Sequence, residues 1–439
     1  MNRVRAAAGE YLGWEPLRTL PDKESGQSDV LGWDTRRMRR WLGRLGDPQC
    51  GMRCTLVAGS KGKGSTATFL EAALRHAGRR TGLYTQPHLH RYAERVQVAG
   101  RPLGATRSRA ALREVLARAP GPVTAFEAAT AAALWAFARA GVEDAVLELG
   151  FGGRLDAVAE VEPELVLFGP IELEHAALFG PDLPAVARQE FSLIRFGRIC
   201  LSGPQVPEVA ELFGRELAAH GAEGGLVPAP EPLPMGAEGE LALASGRRLR
   251  VRLGLAGGFQ WGNAALAARG AEALGAPPMA IAAGLGAAWL PGRFETVAQD
   301  PRVLVDGAHT PGSAAALAAA LGQLDVRGPV ALVLGVLQDK DAAGIGRALA
   351  PRVQALWATT PNHPRALAAP LLATCLGGLV PAMHVVPAPL EALARARDWV
   401  GPRGLVVAAG SLHLAAQVRW AVLQAGRRVP RLRNQRTAQ

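Results

Sequence analysis

The chain has 439 residues, of which 49% are apolar and 20% are charged, with a formal net charge of +11. This length exceeds what one hydrophobic core usually supports, so we expect two domains, and the ordinary composition excludes a disordered chain. The longest apolar runs are too short to span a bilayer, and no apolar leader opens the chain, so the sequence predicts a cytoplasmic protein without a membrane segment.

The positive charge is concentrated in two places. Five arginines without an acid lie in the tail 427–439, which predicts a disordered basic end. Five more decorate Arg36–Arg44, where Met38, Trp41 and Leu42 form an apolar stripe. This pattern predicts an amphipathic helix with a solvated basic face rather than a nucleic-acid surface. The four cysteines are too scattered for a disulfide framework.

In chain order, residues 1–30 lack periodicity and predict a loosely packed N-terminal arm. From Cys54 onward, short β-branched runs alternate with Ala- and Leu-rich segments, which predicts a parallel sheet with helices on both faces. The predicted strands are Cys54–Ala58, Gly82–Tyr84, Ala145–Leu149 and Leu165–Phe168, and the predicted helices include Ser65–His76, Phe126–Ala140 and Asp182–Phe196. The strand-poor segment Gly221–Gly246 predicts an excursion or a hairpin.

After the turn Leu290–Gly292 the alternation restarts and predicts a second, smaller α/β domain. Its predicted strands are Val303–Val305, Val330–Val336, Ala355–Ala358, Met383–Val386 and Leu405–Ala408. We therefore divide the chain into an arm (1–30), a central domain (31–291), a C-terminal Rossmann-like domain (292–428) and a basic tail (429–439). The expected fold class is α/β, with a P-loop parallel-sheet ATPase domain preceding the smaller domain.

A glycine-rich loop follows the first predicted strand and precedes a helix. It consists of Gly59, Ser60, Lys61, Gly62, Lys63, Gly64 and Ser65. Glycines let backbone N–H groups converge on a phosphate, and the helix N-terminus adds positive potential. Lys63 suits the outer phosphates of a nucleotide, and Ser65 suits Mg²⁺. The alternative, a strand-to-helix turn without a ligand, requires two lysines and a serine to be there by chance.

This loop resembles that of the Mur ligase superfamily, and its GKGS ending resembles the folylpolyglutamate synthase/dihydrofolate synthase branch. The resemblance extends along most of the chain. It is carried by Tyr84–His90 with Glu94–Val96, Phe126–Thr130, Leu147–Asp156, Pro291–Glu295, Asp306–His309, Gly335–Asp341 and Gly410–Leu412. A peptidoglycan ligase of the same superfamily fits the GKGS spacing and the run Leu149–Asp156 less well.

The resemblance implies an enzyme that uses ATP and Mg²⁺ to activate a carboxylate as an acyl phosphate. The amine of an amino acid, glutamate in this branch, then attacks and forms an amide. The expected partners are small molecules, namely a pterin- or folate-type carboxylate and the amino acid, and the expected state is a monomer that binds neither nucleic acid nor membrane. Such chemistry needs phosphate charge to be offset and both reactants to be held in place.

The resemblance also implies roles for individual residues. Glu148 lies at a strand end, where the sites of parallel sheets collect, and it is expected to bind magnesium together with Ser65 and His175. For His175 the alternative is a surface ion pair with Glu172 or Glu174. Contacts with the adenine side of ATP are implied for Gln260 and Asn263, contacts with the phosphates for Arg293, and nucleotide binding for Asp306. A catalytic role is implied for Lys63, Glu148, His175, Glu190, Arg293 and His309. The implied substrate contacts are Gln86, His88, Arg95, Phe126, His309 and Ser411, although a serine after a strand is as often a helix cap.

Glu190 replaces a lysine that family members convert to a carbamate for the second magnesium. In the predicted helix Asp182–Phe196 it shares a stripe with Val186 and Ile194, which places it on the inward face. A buried acid needs a positive partner. We therefore predict that Glu190 supplies a permanent carboxylate, and the alternative is a helix end turned to solvent.

Further departures from the family pattern lie in the predicted site, at Lys61, Gln86, Ala159, Phe259 and Thr310. They admit two interpretations. Either the site is adapted to a related acceptor, or catalysis has been lost and a nucleotide-binding protein remains. Retention of Lys63, Glu148 and Arg293 favours a working enzyme.

Overall fold

A computed structural model of the chain describes residues 10–21, 35–150, 152–173 and 179–428. The described residues fall into two compact units. The first runs to Leu255 and includes Phe259–Leu290, and the second comprises Ala256–Gly258 and the chain from Pro291 onward. Both are α/β units, which confirms the predicted fold class.

The first unit is built on an eight-stranded sheet in the order β4-β3-β2-β5-β1-β6-β7-β8. Its strands are β1 (Arg53–Ala58), β2 (Thr81–Tyr84), β3 (Val96–Val98), β4 (Arg101–Pro102), β5 (Asp144–Glu148), β6 (Leu165–Phe168), β7 (Ile199–Ser202) and β8 (Glu223–Leu226). The central strands pair in parallel, but β3 and β4 add an antiparallel edge. The predicted parallel pairing is therefore confirmed for the central strands, whereas the edge strands β3 and β4 pair antiparallel.

Helices cover this sheet and bury its apolar residues. They are α1 (Thr35–Arg44), α2 (Lys63–His76), α3 (Ala105–Ala117), α4 (Ala125–Arg139), α5 (Leu183–Phe191), α6 (Pro207–His220), α7 (Gln260–Ala273) and α8 (Pro278–Ala287). Strand β1 is buried from Cys54 to Ala58, as expected for a central strand covered on both faces. The centre of the sheet thereby supplies a rigid base for the loops that follow β1, β5 and β6.

Gly221–Gly246 contains the start of a hairpin, one of the two predicted alternatives, and also a strand of the main sheet that was not predicted. Its first part forms β8, which pairs with β7 in the main sheet. Its last part begins the antiparallel hairpin of β9 (Glu238–Ala242) and β10 (Arg248–Arg252). The sequence pattern did not predict β8, because this strand contains two glycines and glycine has a low strand propensity.

The predicted N-terminal arm is wrong for its described part. A 3₁₀ turn over Glu15–Thr19 buries Leu17, and the ring of Trp14 is fully buried in the core of the first unit. Burial of a large aromatic side chain outweighs the lack of periodicity in so short a segment. The rest of 1–30, apart from residues 10–21, lies outside the described residues, as does the tail 429–439.

The amphipathic character of α1 is confirmed, because its apolar stripe is buried and four of its five arginines are exposed, with Arg37 as the exception. The guanidinium of Arg37 lies 2.8 Å from a carboxylate oxygen of Glu127 on α4, and both side chains are largely buried. Arg39 pairs with Glu160 at the same distance. Arg37 therefore ties α1 to α4, whereas the pair of the exposed Arg39 contributes little to stability.

The second unit contains a six-stranded sheet in the order β11-β12-β16-β13-β14-β15. Its strands are β11 (Glu295–Gln299), β12 (Arg302–Val305), β13 (Val330–Leu334), β14 (Ala355–Ala358), β15 (Ala382–Val385) and β16 (Leu405–Ala409), and its helices are α9 (Pro311–Leu321), α10 (Ala342–Leu349), α11 (Ala369–Leu376), α12 (Pro389–Val400) and α13 (Leu412–Arg428). All strand pairs are parallel except β11 with β12. None of the helices in the described part of the chain is both long and apolar enough to cross a bilayer.

Candidate functional site

The glycine-rich loop connects β1 to α2. Gly59 and Gly62 have positive φ angles of 104° and 76°, which residues with a side chain rarely adopt. A β-carbon on Gly59 would also lie 2.7 Å from the carbonyl oxygen of Gly169. The loop then leads into α2, which begins at Lys63. The N–H groups in the first turn of a helix have no acceptor within the helix. This arrangement suits an anion at the helix N-terminus.

The first half of the loop is fixed to the segment after β6. Both Ser60 N and Lys61 N donate to the carbonyl oxygen of Pro170, at 2.9 and 3.3 Å. The Ser60 hydroxyl donates to Glu172 O at 3.2 Å and accepts from Glu172 N at 3.0 Å. Ser60 therefore anchors the loop to protein backbone, and the helix start at Gly62–Ser65 is the part oriented toward a phosphate.

Lys63 folds back over the loop. Its Nζ donates to the carbonyl oxygen of Gly59 at 2.7 Å. The ammonium thus lies above the N-terminus of α2, where a bound phosphate would take over that hydrogen bond.

Glu190 is buried beside the first glycine of the loop, with 7% of its surface exposed. Its Oε2 accepts a hydrogen bond from Gly59 N at 3.2 Å. The predicted inward orientation is therefore confirmed. The predicted helix is too long, because α5 begins after its cap Asp182 and ends at Phe191, so Ile194 is buried in the turn that follows.

Glu148 ends β5 beside the same loop and is 4% exposed. Its Oε2 accepts from Gln86 N at 2.8 Å. A β-carbon on Gly64 would lie 3.3 Å from this oxygen. Gly64, which has no side chain, therefore leaves room for a carboxylate beside the start of α2.

Gln260 and Asn263 on α7 complete the surroundings of the loop. The buried amide of Gln260 donates from Nε2 to the Ser65 hydroxyl at 3.2 Å, and Asn263 Nδ2 donates to Gln260 Oε1 at 2.9 Å. A β-carbon on Gly62 would clash with Asn263 Oδ1. The structure thus brings both amides, predicted from the resemblance as nucleotide contacts, against the phosphate loop itself.

The segment Tyr84–Val96, here called the substrate loop, carries the predicted substrate residues Gln86, His88 and Arg95 and is organised by two glutamates. Glu94 accepts backbone hydrogen bonds from Leu89, His90 and Arg91. Glu10, which the sequence did not single out, lies 2.8 Å from His88 Nε2. Arg95 Nε donates to His88 Nδ1 at 2.8 Å, so Nδ1 is the acceptor and the proton of the neutral ring is on Nε2.

Phe126 lies near Tyr84, the first residue of this loop. Its ring centroid lies 6.3 Å from that of Tyr84, whose hydroxyl accepts from Thr130 Oγ1 at 3.3 Å. Gln86 lies on the same side, and a β-carbon on Gly150 would be 2.7 Å from its Nε2. Of the predicted substrate residues of the first unit, Gln86 contacts Glu148 directly.

In the second unit, Asp306 lies at the end of β12. Burial raises the pKa of its carboxyl, an effect that Arg293 opposes. Phe294 N and Ala308 N each donate to it at 2.7 Å. The carboxylate thereby fixes the backbone on both sides of the strand end.

Arg293 and His309 are oriented by the same turn. Arg293 Nη1 donates to Gly292 O at 3.3 Å and lies against Gly307. His309 Nδ1 is 2.7 Å from the carbonyl oxygen of Gly307, which can only accept. The neutral imidazole of His309 consequently carries its lone pair on Nε2.

Two further predicted positions have structural contacts. The Ser411 hydroxyl accepts from Leu414 N at 3.2 Å and caps α13, which is the alternative that the sequence left open. Thr310, one of the departures, caps α9 in a capping box with Ser313. His175 and Glu174 lie outside the described residues, so the role of His175 stays a prediction.

The residues present fit a magnesium ion that enters with a nucleotide. Glu148 and Glu190 offer buried carboxylate oxygens beside the loop, and Ser65 offers a hydroxyl. Within the described ranges, no three His, Cys, Asp or Glu side chains form a ready metal cage. Mg²⁺ usually takes only one or two protein carboxylates and completes its shell with phosphates and water.

Comparisons with known proteins place this geometry in context. A family model described as "Mur ligase, glutamate ligase domain" matches residues 292–412. The dihydrofolate synthase/folylpolyglutamate synthase of Escherichia coli is 34% identical over 426 residues, which are 95% of this chain and 97% of that protein. A probable bifunctional folylpolyglutamate synthase/dihydropteroate synthase of Haloferax volcanii is 34% identical over 411 residues. The chain spans about half the length of this relative and of a similar one from Halobacterium salinarum, 48% in each case.

Solved structures agree over nearly the whole chain. E. coli FolC in complex with DHPP and ADP is 30% identical, with a TM-score of 0.83 and coverage of 97% of this chain and 98% of that one. The Mycobacterium tuberculosis folylpolyglutamate synthase complexed with ADP and AMPPCP is 28% identical, with a TM-score of 0.85 and coverage of 95% and 99%.

Proposed function

Since this chain belongs to the folylpolyglutamate synthase/dihydrofolate synthase family of Mur ligases, we propose that it is an ATP-dependent ligase for an amino acid. It joins glutamate to the carboxylate of a pterin- or folate-type acceptor through an acyl phosphate and releases ADP and phosphate. The observation that carries the proposal is the phosphate loop with two buried acids beside it, Glu190 at Gly59 and Glu148 at Gly64. Two buried acids beside an anion site are costly unless a cation neutralises them.

In the proposed reaction, a carboxylate oxygen of the acceptor attacks the γ-phosphorus of ATP, and the bond to ADP breaks. The N-terminus of α2 and Lys63 bind the phosphates and offset their charge. Magnesium, when bound by Ser65, Glu148 and Glu190, supplies further charge neutralisation. Arg293 is suited to phosphate oxygens by its planar guanidinium.

The second step forms the amide. The amine of glutamate attacks the acyl carbon, the carbon–oxygen bond to phosphate breaks, and the nitrogen loses a proton. His309 presents the Nε2 lone pair and is proposed to orient the amine, and Asp306 holds the turn that carries His309. Gln86, His88, Arg95 and Phe126 are proposed to contact the acceptor.

Glu190 is proposed to act as the permanent carboxylate of the magnesium site. Its side chain is buried and hydrogen-bonded to Gly59 N, so its charge lies beside the phosphate loop without chemical modification. The enzyme therefore needs no bicarbonate for activity.

The test is acceptor-dependent release of ADP from Mg-ATP in the presence of glutamate, with dihydropteroate and a reduced folate offered separately. The proposal predicts release with at least one acceptor and its loss in Lys63→Met. ATP binding without ADP release for any acceptor would support the decayed nucleotide-binding protein instead. The cytoplasmic location and the monomeric state stay predictions.

A further inference from the structure

The end of α5 contacts the turn Gly152–Arg154, here called the glycine turn, which follows β5. Gln189 Nε2 donates to the first carbonyl oxygen of this turn at 3.0 Å, and Ser192 Oγ accepts from its last backbone N–H at 3.1 Å. The turn follows Glu148 in the chain, whereas Gln189 and Ser192 lie on either side of Glu190. The two contacts therefore connect the segments that carry the two buried acids of the site. The roles proposed above use neither Gln189 nor Ser192.

The glycine turn has the backbone shape that this contact requires. Gly152 and Gly153 have positive φ angles of 62° and 52°, a conformation that residues with a side chain rarely adopt. A β-carbon on Gly153 would clash with Gln189 O and would lie 2.8 Å from Ser192 Oγ. The turn therefore approaches the end of α5 closely because Gly153 has no side chain.

The Ser192 hydroxyl is fixed in direction as well as in position. It donates to Gln189 O and accepts from Arg154 N. Because a carbonyl oxygen can only accept and a backbone N–H can only donate, the direction of both hydrogen bonds is defined. Ser192 thus holds the backbone of the glycine turn against the backbone of α5.

Apolar packing also holds this end of α5. Phe191 is fully buried, and its ring centroid lies 5.2 Å from that of Phe168, at the end of β6, and 5.2 Å from that of Phe213 on α6. Such packing keeps the helix against the sheet, but it is non-directional. The directional hydrogen bonds of Gln189 and Ser192 fix how the helix end is turned about its axis. A change in that rotation would move the side chain of Glu190, which lies between them.

We propose that Gln189 and Ser192 are positioning residues, which keep the Glu190 carboxylate at a fixed distance from Glu148 so that both acids suit a divalent cation. Mg²⁺ demands near-ideal octahedral geometry with ligands at about 2.0–2.1 Å, so a small displacement of one carboxylate weakens its binding. Removal of a group that orients a metal ligand typically costs about 10- to 100-fold in metal affinity. The inference rests on the proposed function for the metal role of the two acids.

The test measures binding of Mn²⁺, a paramagnetic substitute for Mg²⁺, by electron paramagnetic resonance in the presence of the nucleotide analogue AMPPNP. Ser192→Ala and Gln189→Met each remove a contact with the glycine turn. Each should weaken Mn²⁺ binding by about 10-fold or more, with AMPPNP affinity in EDTA unchanged. Ser108→Ala is the matched control, because its hydroxyl also donates to backbone oxygens, at the start of α3. Unchanged Mn²⁺ affinity in both variants, while Glu190→Gln weakens it, would overturn the proposal alone.

A double-mutant cycle separates positioning from a general loss of stability. If Ser192 acts through Glu190, adding Ser192→Ala to Glu190→Gln should cost no further Mn²⁺ affinity. Additive losses, or an equal loss of Mn²⁺ affinity in Ser108→Ala, would show a merely structural role and overturn the proposal. The measurement needs no acceptor. A protein that binds Mn²⁺ in the expected way but ligates no acceptor would contradict the proposed reaction and still support the positioning role.

Discussion

Glu190→Gln tests the most unusual residue of the site. Glutamine has the same shape and retains an oxygen that can accept from Gly59 N, so the fold and the loop should be preserved. The change removes one negative charge from a side chain that is only 7% exposed. Hydrogen bonds and contacts to a buried charge contribute about 1.5–3 kcal/mol, which corresponds to roughly 10- to 100-fold in affinity.

The assay is ADP release as a function of Mg²⁺ concentration, with and without added bicarbonate. We expect the half-saturating Mg²⁺ concentration of Glu190→Gln to rise by about 10- to 100-fold, and that of the wild-type enzyme to be independent of bicarbonate. Glu211→Gln, at an exposed position on α6, is the control. A Glu190→Gln enzyme with unchanged Mg²⁺ dependence, or a wild-type enzyme that needs bicarbonate, would refute this reasoning.

Other parts of the structure give further predictions. Gly64→Ala should raise the KM for ATP at least about tenfold, because its β-carbon would crowd Glu148 Oε2. The control Gly43→Ala has open space around its β-carbon, so it should leave ATP kinetics unchanged and raise the unfolding free energy by about 0.5–1 kcal/mol. Equal ATP kinetics in the two variants would contradict the role given to Gly64. Glu10→Ala should raise the KM for the acceptor several-fold without changing the KM for ATP, because His88 Nε2 loses its carboxylate partner. Glu10→Gln should behave nearly as wild type. An unchanged acceptor KM in Glu10→Ala would exclude the role given to Glu10. Burial raises the pKa of Asp306, so folded Asp306 binds its proton more tightly than unfolded Asp306, and its contribution to stability falls as pH rises above the ordinary value of 3.8. Asp306→Asn should flatten that fall in denaturant titrations between pH 4 and pH 7, and a variant with the same pH dependence as wild type would show that another group is responsible.

Sequence periodicity was sufficient for the central strands, because a strand buried on both faces needs a continuous apolar run, as in Leu165–Phe168. It failed where tertiary contacts decide the structure. Trp14 is buried although its segment has no pattern, and β8 forms from Glu223–Leu226, a segment with two glycines, because β7 supplies a neighbouring edge.

The phosphate loop was predictable because its glycines are required by backbone conformation, which leaves a clear mark in the sequence. The contacts of Glu10 with His88, and of Ser192 with the turn Gly152–Arg154, join residues far apart in the chain. Neither contact has a spacing or a motif that could have predicted it. Ser411 was ambiguous for another reason. A serine that caps a helix and a serine that binds a ligand can occupy the same position in the sequence.

The central claim is that the acceptor carboxylate passes through an acyl phosphate before it forms an amide with glutamate. The most direct test labels the acceptor carboxylate with ¹⁸O and weighs the products formed with Mg-ATP and glutamate. Reaction through an acyl phosphate gives an acceptor–glutamate amide together with phosphate that carries one ¹⁸O atom from the carboxylate. Amide formation with unlabelled phosphate, or ADP release without an amide, would contradict it.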